Sequence, residues 1–148
     1  MEEESNTGKD HSIITAAIIF LLIGVTFGVI IVKQIFLGDF ALSFFLLVLG
    51  MFFFASALEM ESGIGEWIAS LGWTLNMLGG ILFYQYKTGN WESWAYVWPL
   101  IFPAGIGLGQ LLYGVVKARR DPIERGKTLV QIGLGLFVLG LILFTLFF

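Results

Sequence analysis

Cysteine is absent from the chain, which excludes disulfides, thiolate nucleophiles and cysteine metal sites together and leaves the redox compartment unmarked. Charge is scarce as well. Asp, Glu, Lys and Arg make up 13% of the residues, against about 25% in an ordinary soluble domain. The formal net charge of -3 carries no message about nucleic acid, because acids and bases fall in separate short segments and form no continuous surface. Histidine occurs once, at His11, in the polar stretch "MEEESNTGKDHS". An imidazole there can serve a haem or pigment as an axial ligand at an interface, but a lone tail histidine is more often solvated. With no HExxH, no serine, histidine and acid set and no paired carboxylates facing a pocket, the chain reads as a non-enzyme without metal or cofactor.

What is present in abundance is apolar. Hydrophobic residues reach 57% and the mean hydropathy is +0.89. Five apolar runs, at residues 12–32, 40–58, 67–84, 94–116 and 129–148, are each close to the roughly 20 residues that cross a hydrocarbon core. The expected fold is all-α, an integral membrane bundle of about five transmembrane helices. Residues 1–11 are expected as a polar cytoplasmic tail and 12–148 as a single transmembrane domain. The acidic N-terminus lacks the basic start of a cleaved signal, so the first run reads as a retained helix. The first four runs share an order of apolar helix, polar turn and aromatic-led helix, which suggests two duplicated hairpins plus one helix.

Orientation follows from lysine and arginine in short loops. "KARRDPIERGK", residues 117–127, holds five of the eight basic residues and is expected in the cytoplasm, together with the N-terminus and the acidic turn around Glu59, Glu61 and Glu66. Lys33 and Lys87 then lie outside. Lys117, Arg119 and Arg120 are candidate contacts for anionic lipid.

Glycine numbers 19, with Gly65, Gly72 and Gly79 seven apart, and likewise Gly107 and Gly114, and Gly133 and Gly140. Positions seven apart share a helix face, and small residues let helices close in lipid, where apolar burial gives no drive to associate. Packing within the bundle is the first reading, and a face left over for a partner the second. "GIGLG", Gly105 to Gly109, lacks the strand and downstream acid of a dinucleotide fingerprint, and "GKT" at Gly126 lacks the glycine that a phosphate loop needs at Asp121. Asn76 and Gln110 are the strongly polar side chains within the spans. Interhelical hydrogen bonding is their default role.

The segment "KTGNWESWAYVWPLIFPAGIGLG" combines a turn, an aromatic anchor, two prolines and a glycine ladder. Gly89 suits a left-handed cap, Asn90 a helix N-cap, and Glu92 the positive end of the helix dipole. Trp91, Trp94 and Trp98 fall on one helix face, as an interfacial belt does. Pro99 and Pro103 remove two backbone donors and predict a kink. Trp91, Trp94, Trp98, Gly105, Gly107, Gly109 and Gly114 are therefore the candidates for packing against a partner or for lipid contact.

The run "FYQYKTGNWESWAYVWPLIFPAGIGLGQLLYG", with "GLGLFVLGLILF" beyond a basic loop, resembles a group of small bacterial multi-helix membrane proteins similar to the transmembrane domain of LiaF-type envelope-stress proteins. The similarity is sharpest from Gln85 to Gly114. It implies a membrane domain acting through protein contacts. Three expectations follow: an accessory or structural subunit of a larger membrane complex, with another integral membrane protein and membrane lipids as partners and no nucleic acid; an envelope-stress regulator, as the resemblance implies; or a lipid or pigment binder using the aromatic face.

Overall fold

The computed structural model describes residues 14–15, 18–26, 28, 38 and 40–148. His11, Lys33 and Asp39 lie outside them, as do residues 12–13, 16–17, 27 and 29–32 of the first apolar run, so the first of the two expected hairpins is described only in part. Among the described residues there is no strand. From Phe40 onward the chain forms five α-helices: α1 (Phe40–Leu58), α2 (Ser62–Thr88), α3 (Trp94–Pro99), α4 (Ile106–Val116) and α5 (Arg120–Phe147). A 3-10 turn at Trp91–Ser93 leads into α3, and a π-helical segment at Leu100–Gly105 joins α3 and α4 into one bent rod.

The sequence of α1 is apolar all round, so amphipathic patterning cannot say which side faces in. Size decides it. The residues that α1 buries are Ala41, Ser43, Gly50 and Ala57, while Leu42 and Met51 point away. At the crossing with α2, a Cβ on Gly50 would stand 2.5 Å from the Gly72 carbonyl oxygen, and one on Gly72 would stand 2.6 Å from that of Gly50. Only a backbone without side chains fits on both sides of this contact.

Helix α2 is the axis of the structure, packed on α1 along one side and on α4 along another. It buries Ser70, Thr74, Asn76 and Gln85. Ser70 and Thr74 spend their hydroxyls on the carbonyls of Glu66 and Ser70, each at 2.8 Å, the local bond that lets a polar side chain sit in a helix interior. α5 runs along the bent rod. Gly126 meets Gly107 and Leu111, Gly133 meets Ala104 and the Pro99 carbonyl, and Gly140 meets Tyr96.

Among the described residues, three segments are long and apolar enough to cross a membrane: α1, the rod Trp91–Val116 and α5. Two boundaries differ from expectation. Residues 67–84 are the middle of a longer helix, because "SGIGE" and "QYKT" continue its turns. The basic loop 117–127 shrinks to a turn of three residues, since α5 begins at Arg120. Asp121 and Pro122 sit in its first turn, where an acid and a residue without an N–H are both well placed, and Gly126 is already needed against Gly107.

Candidate functional site

The turn after α1 and the turn after α4 come together at one end of the bundle. Tyr113, 1% exposed, donates its hydroxyl to the Met60 carbonyl at 3.1 Å. Its ring packs with Ala57 and Ala69 in the small core cluster. The α4 terminus closes in a Schellman pattern: the Arg119 N–H bonds the Gly114 carbonyl at 2.8 Å and the Ala118 N–H that of Val115 at 3.3 Å, with Ala118 held at φ 53°. This places Arg119 at the N-cap of α5 in extended conformation. An arginine has no acceptor to give a helix N-terminus, so its guanidinium is left for other contacts.

Around this end lies a cleft of about 430 Å³ bounded by Gly63, Glu66, Trp67, Gln110, Arg119 and Arg125. Glu66 lies in the second turn of α2 and is largely covered. Arg125, in the second turn of α5, bonds both its carboxylate oxygens. It is the one ion pair among the described residues. A second cleft of about 400 Å³ shares Gln110 and Arg125 and adds Glu124, Thr128 and Leu129. The pair joins residues 59 positions apart in the chain, and sequence reasoning, which placed Glu66 in an acidic cytoplasmic turn, missed it. Its only sequence signal is an acid near one helix end and a base near another at the same predicted side.

Of the expected lipid contacts, Lys117 and Arg120 are exposed beside the turn, and Arg119 is partly buried. Asn76 and Gln110 do not form the interhelical bonds expected of them: Asn76 Nδ2 and Gln110 Oε1 are buried without a partner. Asn76 lies against Gly50 at the α1–α2 crossing.

The opposite end carries the aromatic segment. Gly89 takes φ 68° and its N–H bonds the Gln85 carbonyl at 2.7 Å, the left-handed cap expected. Asn90 makes no side-chain cap. Instead, Ser93 Oγ donates to the Asn90 carbonyl at 2.7 Å and accepts from Gln85 Nε2 at 3.1 Å, a buried polar link invisible in the apolar pattern. Trp91 and Trp98 are exposed and Trp94 partly so, while Trp91 meets Tyr86 edge to face at 5.0 Å. Tyr96 turns inward to Phe137 and Phe144 of α5, at 6.0 and 5.2 Å. The prolines bend the rod as expected, with Phe102 out of helical geometry. Gly105, Gly107, Gly109 and Gly114 are all buried against α2 or α5, so these glycines serve the bundle's own packing, the first of the two readings.

Among the described residues no three His, Asp or Glu side chains gather where they could hold a metal ion. Comparison with protein families, curated proteins and solved structures finds no match to this chain.

Proposed function

We propose that the chain is a multi-pass membrane protein that works by helix packing, as an accessory or structural subunit of a larger membrane complex. The membrane reading is supported by an inverted pattern of burial. Alanine, glycine and serine fill the helix contacts, while Leu42, Met51, Leu71, Leu134, Val138 and Ile142 face outward. A water-soluble bundle buries its large aliphatic side chains; a lipid-embedded one gains nothing by doing so. On this reading α2 spans as well, its polar residues sheltered by α1 and α4.

The observation that carries the subunit role is α5. Its most apolar 18-residue window is only 6% buried, and Gly135 on its outer side has nothing within 4 Å. A gap of that kind on a bare apolar helix suits the close approach of another helix better than it suits an acyl chain. Five basic residues gather at the end that holds the 59–61 and 117–119 turns, and Lys87 lies at the other. The positive-inside rule therefore puts that end and the N-terminal tail in the cytoplasm. The regulator alternative rests on the resemblance between Gln85 and Gly114 alone.

The test is extraction in mild detergent followed by native mass spectrometry. A stoichiometric second membrane protein, released when Gly135 is replaced by leucine, is the expected result. Recovery of the chain as a lone monomer from its own membrane would sink the subunit role.

A further inference from the structure

The cleft between α2, α4 and α5 holds chemistry that helix packing does not use. Arg125 is satisfied by Glu66, whereas Arg119 has no carboxylate within ion-pair distance and its Nη1 is closed off from water without an acceptor. Gln110 Oε1, on the lining of the same cleft, is closed off without a donor. Buried groups left in this state carry their full desolvation penalty, and a headgroup that enters the cleft, with each side chain turning to meet it, recovers it. Glu124, unpaired, lies next to Gln110 on the adjoining cleft, and beyond it Thr128 and Leu129 continue the wall along α5. On its other side Arg119 borders Glu59, Glu61 and Lys117, in a separate hollow with Met60 and Tyr113.

Taken from the turn inward, the two clefts offer a cation, an amide oxygen, a carboxylate and then an aliphatic wall. We propose that they form a binding site for one phospholipid with a phosphoethanolamine headgroup. The phosphate accepts from the Arg119 guanidinium. The primary ammonium donates to Gln110 Oε1 and the Glu124 carboxylate, and an acyl chain lies beside Leu129. Charge favours this headgroup: Arg119 and Arg125 stand against Glu66 and Glu124, so the site is neutral and matches a zwitterion. A choline headgroup has the same charges but no N–H for Gln110, and a glycerol headgroup has donors but no cation for Glu124. The volumes are those of ordinary small-molecule sites. The inference is independent of the subunit role, since it concerns the first three turns of α5, ahead of Gly135, and needs no second protein.

The experiment uses the full chain in mild detergent, offered equal amounts of dioleoyl phosphatidylethanolamine, phosphatidylcholine and phosphatidylglycerol, with bound lipid counted by native mass spectrometry. One phosphatidylethanolamine per chain is expected, favoured roughly tenfold, the scale of one charge-assisted hydrogen bond. Gln110→Leu should abolish that preference, Arg119→Gln should lower retention of all three lipids by removing the phosphate contact they share, and Lys127→Gln, at the same end but outside the cleft, should change neither. Gln110→Glu, which adds a carboxylate where the ammonium lands, should sharpen the preference over phosphatidylglycerol, and this holds the proposal to account if Arg119→Gln fails to fold. Equal retention of the three lipids, a preference for phosphatidylglycerol, or equal losses from Lys127→Gln and Arg119→Gln would overturn the site. So would binding of soluble O-phosphoethanolamine as tight as that of the lipid, because the apolar wall would then contribute nothing.

Discussion

Arg125 of α5 donates through one nitrogen, Nη2, to both carboxylate oxygens of Glu66 on α2, at 2.7 and 2.8 Å. This is the one ionic link among the described residues, and it ties the central helix to the outermost one beside the cleft.

The pair's energetic weight follows from its exposure. The Arg125 side chain is 58% exposed and that of Glu66 only 13%, so water screens the arginine while the carboxylate is largely withdrawn. A double-mutant cycle with Glu66→Gln and Arg125→Gln should give a coupling of about 1 kcal/mol or less, shrinking with added salt. A coupling of about 3 kcal/mol, insensitive to salt, would mean that the pair is buried in its real surroundings.

The glycines divide into two sets with opposite expected responses. At Gly109 a Cβ would stand 2.5 Å from the Ala69 carbonyl oxygen and from the Ser70 Cα, both backbone atoms that cannot swing aside. Gly109→Ala should therefore force α2 and α4 apart and cost on the order of 1–3 kcal/mol. Gly135 has open space around it, and Gly135→Ala should be neutral or stabilising by up to about 1 kcal/mol from helix propensity. Thermal unfolding in detergent separates the two. If both variants unfold alike, the close approach of α2 and α4 is wrong.

Ala118 holds a left-handed conformation, φ 53°, at the position of the α4 cap that glycine usually takes. The conformation costs an L-residue roughly 1–2 kcal/mol, so Ala118→Gly should raise the unfolding temperature, less the entropy that glycine adds to the unfolded chain. Because Ala118 sets the direction from which Arg119 enters α5, Ala118→Pro should both destabilise the protein and displace that guanidinium. A fall in stability with glycine would mean that the turn is built differently.

The sequence made some of this legible and hid the rest for physical reasons. Composition and run length gave the helices, and α1 matches its expected bounds because a glycine-marked turn precedes it and an acidic one ends it. Pro99, Pro103 and Gly89 act through their own backbone geometry, so their effects could be read locally. The start of α5 could not. Charge in "KARRDPIERGK" looked like loop, but charged residues are good helix formers once a first turn is set. Which glycines face inward depends on partners distant in the chain, and so do Glu66 with Arg125 and Gln85 with Ser93. No periodicity in a uniformly apolar helix carries that information.

The turns 59–61 and 117–119 share one end, fixed by the Tyr113 bond to Met60, and α2 carries Lys87 to the other. Because the chain contains no cysteine, single replacements report on sidedness without background. In whole cells a membrane-impermeant maleimide should label Lys87→Cys, and should label Glu59→Cys and Lys127→Cys only after lysis. Labelling in the reverse order would invert the orientation while keeping the hairpins. Glu59→Cys and Lys127→Cys on opposite sides of the membrane would be more damaging, since no arrangement that keeps Tyr113 beside Met60 allows it. The cleft of Glu66, Gln110, Arg119 and Arg125 would then be dismantled along with the fold that builds it.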